Sequence, residues 1–372
     1  MIYRPYGKTG KHVSVIGMGG MRFGEDDDYG AEVVRYASSN GINYFDTAPF
    51  YNDDRSEDIF GKAFQKMPAP FYVSTKSSIN SDETAADVRH RIETSLKRMN
   101  LEKINFYHMW CIMDLDQYQR IMVPGGPYEG ALKAKEEGLI EHLCFSTHCK
   151  GEDIEAIIKD DVFEGVLLGY NVINHPFRQQ GVDAARRHQI GVVTMNPLGG
   201  GLIPRHQDYF DFIREHWDET VPQAALRFNA AQEGITVALA GMGSLEEVDE
   251  NIKVIDRPLQ VSDAKVEEIR GKVTSFMDQL CTNCQYCRKC PLKIKMNYYM
   301  EAYNLYLLMG EEEMFQQLQW YRDKKDLKEK DLLPGDCTAC GICESLCTQK
   351  LPIIDRLQEM NSMMANRRWW SE

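Results

Sequence analysis

Long apolar runs are missing from this 372-residue chain, and no stretch approaches the length that crosses a membrane. Low-complexity sequence is missing too. The opening residues, Met1-Ile-Tyr-Arg-Pro-Tyr-Gly, hold no apolar segment of the kind that begins an export signal, so the reducing cytoplasm is the expected location. Excess positive charge is also absent. Lys and Arg number 43 against 56 Asp and Glu, and a net charge of −13 makes the average surface repel nucleic acid and anionic membrane. The basic stretch Arg322–Lys330 is interleaved with Asp and Glu and reads as a solvated helix face. A dinucleotide-binding turn is lacking: Gly17-Met-Gly-Gly-Met has no helix following at the right distance, which argues against a Rossmann site on an open sheet.

What is abundant is cysteine, and its placement is the most informative feature. Eight of the 11 form two runs near the C-terminus: Cys281, Cys284, Cys287, Cys290 and Cys337, Cys340, Cys343, Cys347. Thiolates at three-residue steps on a wrapped loop can hold three corners of one iron–sulfur cube. The second run has the C-x2-C-x2-C-x3-C spacing of bacterial ferredoxins, in which the last cysteine of a run ligates the other cube. The first run is one residue shorter and ends in Cys290-Pro291. Crossed ligation assigns Cys281, Cys284, Cys287 and Cys347 to one 4Fe–4S cluster and Cys337, Cys340, Cys343 and Cys290 to the other. Structural zinc prefers two C-x2-C knuckles set well apart and fits this spacing poorly. Oxygen-sensitive clusters suggest an organism tolerant of low oxygen. Cys111, Cys144 and Cys149 lie outside the runs and read as small buried hydrophobes.

Up to about residue 255, strand-like and helix-like patterns alternate. Strand-like runs are Val13–Gly17, Ile42–Asp46, Phe71–Lys76, Ile104–Trp110, Glu141–Thr147, Val166–Asn171, Gly191–Asn196 and Thr236–Gly241. Many are apolar on both faces, as strands of a buried parallel sheet are. Eight strand–helix units predict an α/β fold, a (β/α)8 barrel over residues 1–260. A small, mainly helical ferredoxin-like domain over 261–372 follows. Asp263–Leu280 reads as one more helix leading into the first cysteine run, and Asn297–Asp331 as a helical pair between the runs. The terminal Arg367-Arg-Trp-Trp370 reads as a tail packed on the domain.

Barrels of this type carry their chemistry at the C-terminal ends of the strands. Asp46 ends the second strand-like run, Tyr51 follows on its loop, and Lys76 ends the third. Together they form a possible acid, in which the ammonium lowers the phenol's pKa and the carboxylate holds the ammonium. With these residues the sequence resembles the aldo-keto reductases. The matching stretches are Asp46-Thr-Ala-Pro-Phe-Tyr51, Ser56-Glu57 with Gly61, Ser74-Thr-Lys76, Phe145-Ser146, Asn196-Pro-Leu-Gly-Gly and Ser244-Leu-Glu-Glu-Val-Asp-Glu-Asn251. The cysteine runs look like the C-terminal extension of a subgroup of that family, except that Thr348 stands where a proline usually follows the last cysteine. The resemblance implies an NAD(P)-dependent oxidoreductase. Hydride goes to an electrophilic carbon of a small carbonyl or enone substrate, Tyr51 donates the proton, and Lys76 and Asp46 tune it.

Two departures matter. The position of the family's fourth catalytic residue, a histidine, falls on Trp110, while His108 lies two residues earlier on the same strand face. His108 either approaches the cavity from below or is a buried, hydrogen-bonded histidine. In the family, changing that histidine goes with reduction of activated carbon–carbon double bonds. The second departure concerns the nucleotide. Glu250 and Asn251 match adenine contacts, but Gly241 and Glu247 stand where NADPH-preferring members carry lysine and arginine, so NADH is favoured over NADPH. Ser146 matches a ligand of the nicotinamide carboxamide, with Asn171 a weaker candidate; Met195 takes the place of a stacking aromatic, followed by Pro197 and Leu198. His148 either touches substrate at the mouth or is a solvent-exposed loop residue. No flavin signature joins the two-electron barrel to the one-electron clusters. The clusters thus serve a redox protein partner or a structural role, or the barrel is a catalytically silent, nucleotide-binding adaptor of a larger redox complex.

Overall fold

The computed structural model describes residues 1–78, 81–273, 279–328 and 330–367. Its contacts divide the chain into two compact units, Met1–Lys272 and Val273–Glu372. The first is a closed barrel of parallel strands: β3 (Ile16–Gly19), β4 (Tyr44–Asp46), β5 (Tyr72–Lys76), β6 (Ile104–Ile112), β7 (Ile140–Thr147), β8 (Gly165–Gly169), β9 (Gly191–Met195) and β10 (Val237–Gly241), with β10 pairing back onto β3. Each of the eight expected strands is present within a few residues. The antiparallel pair β1 (Tyr3–Pro5) and β2 (His12–Ser14), which precedes the barrel, was not expected. The expected first strand spanned the end of β2 and the start of β3; Val15 lies between them, which moves the barrel strand to Ile16–Gly19.

The connecting helices are α1 (Asp27–Ser39), α2 (Ser56–Phe64), α3 (Ala85–Met99), α4 (Leu115–Ile121), α5 (Pro127–Glu136), α6 (Gly151–Lys159), α7 (His175–His188), the single turns α8 (Leu202–Arg205) and α9 (Gln207–Phe210), α10 (Val221–Ala231), α11 (Leu245–Ile252) and α12 (Asp263–Val273). Local signals set their ends. Thr84 and Asp87 form a capping box on α3, Thr220 and Gln223 another on α10, and Ser244 caps α11. The barrel interior is filled by Tyr44, Phe106, Cys144, Leu167, Val193 and Val237, with Tyr6 fully buried among them. The Tyr6 ring lies 4.2 Å from that of Phe106. Gly165 and Gly191 make room for it, since a Cβ at either would come within 2.3 Å of a Tyr6 atom.

The division at 272/273 falls later than the expected boundary at 260/261. Helix α12 belongs to the barrel because polar contacts fasten its start: Ser262 Oγ donates to Glu215 Oε1 (2.6 Å) and Lys265 Nζ to the Phe212 carbonyl (3.0 Å). Ile269 on this helix is buried. The rest of the helix expected to reach Leu280 falls largely outside the described residues.

The C-terminal unit contains α13 (Met296–Met309), α14 (Glu311–Asp323), α15 (Ile342–Ser345) and α16 (Ile353–Arg367). Gly310, at φ 102°, turns α13 into α14, so the segment between the cysteine runs is a helical pair. Tyr299, Met300, Met314, Leu318, Leu357 and Met360 form its core, and Cys287, Cys343 and Cys347 are buried among them. The cysteine runs share one backbone course. Asn283 and Gln285 of the first have positive φ (50° and 67°), as do Ala339 and Gly341 of the second (53° and 77°), and Lys293 and Lys350 repeat this after each run (59° and 51°). The shorter spacing of the first run does not break the correspondence. Arg367 bonds to Glu311 and Glu312; the tail's Trp369 and Trp370 lie outside the described residues.

Candidate active site and cysteine cages

Asp46 and Lys76 close adjacent strands at the same end of the barrel. Their side chains are 3% and 1% exposed. Lys76 Nζ donates to Asp46 Oδ1 (2.8 Å), Asp46 Oδ2 (2.7 Å) and the Thr47 carbonyl (2.7 Å), which accounts for its three hydrogens. Ser74 Oγ adds a 2.6 Å bond to Asp46 Oδ1. Ser74 is two residues before Lys76 and shares its inward face, so strand periodicity could have singled it out. Burial pulls the Lys76 ammonium below its ordinary pKa, and Asp46 opposes that pull.

Tyr51 is 8% exposed, and Lys76 Nζ lies 4.9 Å from its ring centroid. The loop carrying it is a left-handed run, with Phe50, Asn52, Asp53 and Asp54 all at positive φ. Asn and Asp adopt that region more readily than most residues. Phe50 does not, and Asp54 holds it there by accepting from the Phe50 N–H (3.1 Å). Arg98 in turn grips Asp54 and Asp58 at 2.8 and 2.7 Å. On the far side, Thr47 Oγ1 and Ser56 Oγ are 2.7 Å apart, and Thr75 Oγ1 donates to the buried Glu57 (2.8 Å). These residues, quoted above only as a matching motif, tie α2 to β4 and β5 behind the Tyr51 loop.

Trp110 stands edge-on to Tyr51, with ring centroids 5.8 Å apart and planes at 89°. His108 pairs in register with Lys76. It is fully buried; Nδ1 lies 3.3 Å from the Phe145 carbonyl, and Nε2 has no hydrogen-bond partner. Burial, and then the Lys76 charge, lower its pKa to about 3, so the ring is neutral. His148 is not a solvent-exposed loop residue. It is 8% exposed, and its carbonyl accepts from Arg178 Nη2 (3.1 Å). Burial and the adjacent guanidinium lower it to about 3 as well.

The residues assigned to the nucleotide lie along the ends of β7 to β10. Ser146 Oγ, expected to meet the carboxamide, is a buried polar atom without a partner. Asn171 is already used: its Oδ1 accepts from the Ile173 and Asn174 N–H groups and its Nδ2 donates to the Asn196 carbonyl. Met195 ends β9 half-buried, followed by buried Pro197 and half-buried Leu198. Gly241 ends β10, and a Cβ there would meet the Arg22 side chain at 2.6 Å. Arg22 also donates to the Gly200 carbonyl (3.3 Å), and so spans the loops after β9 and β10; no motif marked it in the sequence. Glu247 Oε2 accepts from the Gly243 N–H (2.6 Å) at the start of α11. Glu250 accepts from Thr220 Oγ1 (2.9 Å), and Asn251 is buried.

In the C-terminal unit, two spaces are each ringed by four cysteines. Cys281, Cys284, Cys287 and Cys347 line one. Cys290, Cys337, Cys340 and Cys343 line the other. Each set takes three thiols from one run and one from the other. Among the described residues, no three His, Cys, Asp or Glu side chains come close enough to share a single ion. The thiols stand around a volume, as ligands of a polynuclear cluster must, and that donor set fits a 4Fe–4S group in each space. Backbone N–H groups point at three of the sulfurs at 3.4 Å: Asn283 to Cys281, Ala339 to Cys337 and Leu351 to Cys347. Asn304 clamps the Cys281 backbone through both amide atoms (2.7 and 2.8 Å). As bare thiols, Cys281, Cys287, Cys343 and Cys347 resist ionisation. Burial, then Cys284 and Cys347, push Cys287 up to about 12, and burial and then Glu344 push Cys343 to about 11. A bound cation reverses that preference.

Comparison with known proteins agrees with both units. Residues 15–273 match the model of the aldo/keto reductase family, and residues 280–352 match a 4Fe-4S dicluster domain. L-galactose dehydrogenase of Arabidopsis thaliana is 27% identical over 285 residues, covering 68% of this chain and 87% of the plant protein. D-threo-aldose 1-dehydrogenase of a Pseudomonas species is 22% identical, over 59% of this chain and 78% of its own length. Among solved structures, an aldo-keto reductase from Bacillus halodurans in its holo form aligns with a TM-score of 0.62 at 22% identity, covering 73% of this chain and 96% of its own. An aldo-keto reductase from Klebsiella pneumoniae in complex with NADPH aligns at 0.61 and 19% identity, covering 73% and 95%.

Proposed function

The chain belongs to the aldo/keto reductase family, and on that premise we propose that it is a nicotinamide-dependent oxidoreductase acting on a small carbonyl or activated C=C substrate. Its C-terminal unit is proposed to hold two 4Fe–4S clusters. When bound, the nicotinamide supplies hydride and the clusters supply single electrons; the protein's own residues do the rest. Tyr51 donates a proton from its phenolic oxygen to the oxygen that becomes negative. Lys76 stabilises the phenolate left behind, and Asp46 with Ser74 and the Thr47 carbonyl fixes Lys76 in place. The observation that carries the reading is the buried Lys76–Asp46 pair directly beside the Tyr51 ring.

Trp110 supports the enone side of the substrate range. An indole wall against Tyr51 takes the place of an imidazole and packs well against a conjugated, flat substrate. His108 is neutral and turned toward Phe145, which supports a positioning role below the cavity. The Glu247 carboxylate already occupies the Gly243 N–H that would otherwise receive an anion, which supports NADH over NADPH. Anaerobic titration with NADH and NADPH, followed optically and by electron paramagnetic resonance, tests the whole reading. Saturable NADH binding with turnover of enones or aldehydes is the expected result; nucleotide binding without turnover of either class would leave the silent adaptor instead.

A further inference from the structure

The backbone correspondence between the two cysteine runs provides an internal control, and two side chains break it. Thr348 follows Cys347 where Pro291 follows Cys290. Thr348 is 4% exposed, and its hydroxyl lies 3.6 Å from the Cys284 sulfur. Once Cys284 is an iron-bound thiolate it has no proton to give, so the buried hydroxyl either donates to that sulfur or loses its partner. Arg356, on α16, is the second. It is 5% exposed, its guanidinium lies 4.7 Å from the Tyr303 ring centroid, and its Nη1 has no hydrogen-bond partner. Burial pulls its pKa down, and Tyr303, then Cys281 and Cys347, then Glu359 oppose that pull. The Glu359 carboxylate is taken by the hydroxyls of Tyr303 and Tyr306. A buried guanidinium on the helix that follows Cys347 thus carries its charge without a dedicated carboxylate.

We propose that Thr348 and Arg356 raise the reduction potential of the cluster held by Cys281, Cys284, Cys287 and Cys347 above that of its twin, so that an electron entering the unit comes to rest there. This rests on the ligand assignment above. The step is a one-electron reduction from a low-potential one-electron donor, with no bond made or broken. The added electron increases negative charge on the sulfurs, and both a hydroxyl donor and a fixed cation favour that state. The twin has an N–H donor from Ala339 that matches Asn283 but, among the described residues, none that matches Leu351; it takes a proline at the threonine position, and its Cys340 corner is exposed, where water screens nearby charge.

The test is a redox titration of the anaerobic holoprotein, monitored by electron paramagnetic resonance, on the native chain and three variants. Thr348→Val is expected to move one of the two midpoints to lower potential. Loss of one neutral hydrogen bond corresponds to about fivefold in the reduction equilibrium, or about 40 mV at 59 mV per decade. Arg356→Met should move the same midpoint further in the same direction, by about tenfold or more. Thr348→Ser should keep the native values, and the second midpoint should stay in place throughout. Full iron and sulfide content with neither midpoint moved, or with both moved together, overturns the proposal while leaving the ligand assignment standing. Absence of iron and sulfide from the native protein overturns the assignment itself.

Discussion

The buried ammonium of Lys76 and the buried guanidinium of Arg356 sit in comparable isolation from water, 0% and 5% exposed, yet are neutralised differently. Lys76 has Asp46 within 2.8 Å, and every one of its hydrogens is used. Arg356 leaves Nη1 unpaired, and burial keeps thiols of the same unit, such as Cys281, protonated. The barrel's counter-charge is therefore in place as soon as the chain folds, whereas that of the cysteine unit is proposed to appear only when its thiols ionise onto bound iron. One site is complete when folding ends; the other is completed by what it binds.

Removing iron is the severest way to break this comparison. Chelation should leave the barrel's thermal transition in place and abolish that of residues 273–372, because eight cysteines would then surround two voids beside an uncompensated cation. Limited proteolysis of the chelated protein should cut within that range at least about tenfold faster than in the holoprotein; equal rates would show a unit that folds on its own core. Next in size is Tyr51→Phe. Turnover should fall by about 10²–10⁴ with nucleotide affinity within about twofold of native, as expected if the phenol acts only when the proton moves. Asp46→Asn should do more than slow the reaction. It strands the Lys76 charge in the interior, a loss of about 3–5 kcal/mol, read from the barrel's denaturant midpoint. A variant as stable as the native protein would mean that the pair is catalytic but not structural.

The barrel was legible because its evidence is periodic and local. Strands with two buried faces, the glycines and polar residues that end them, and the Asp46 to Lys76 spacing all lie close together in sequence. The hairpin β1–β2 was not legible, since its strands are three residues each and are defined by Tyr6 plugging the barrel end. The place of α12 was hidden for a related reason: what assigns it to the barrel is contact with Glu215 and Phe212, some fifty residues earlier. In the site, inward-facing residues could be guessed from strand alternation, but what comes from other elements could not. Arg22 reaches Gly241 and Gly200 from a loop more than 170 residues away. Arg356 is one helical residue among many until its surroundings are known.

Acid should sharpen the contrast from the barrel's side. His108, His148 and His175 are held neutral, with pKa values lowered by burial to about 3, 3 and 4. In the unfolded chain each takes up a proton below about pH 6.5. Between there and the folded values the unfolded state binds more protons, so stability falls as pH falls. Each ring costs up to about 1.4 kcal/mol per pH unit in that window and contributes nothing above it. Denaturant midpoints at pH 7.5 and 5.5 should differ accordingly, and His108→Gln should reduce the difference by about a third.

The smallest expected effect concerns the nucleotide. Glu247 Oε2 holds the Gly243 N–H at the start of α11, and Gly241 offers no side chain, so the place we assign to a 2′-phosphate presents a carboxylate. Reversing the charge with Glu247→Lys frees that N–H and removes the repulsion. At the surface an interaction of this kind amounts to about 1–2 kcal/mol, so preference should move about tenfold toward NADPH in the ratio of the two dissociation constants. Arg22 provides the control. Its side chain lies over Gly241 and reaches Gly200, and so spans the loops after β9 and β10 on which either nucleotide is proposed to lie. Arg22→Ala should therefore weaken NADH and NADPH alike and leave their ratio unchanged. Should the ratio follow Arg22 and ignore Glu247, the cation lying over Gly241, not the carboxylate on α11, is what chooses the nucleotide.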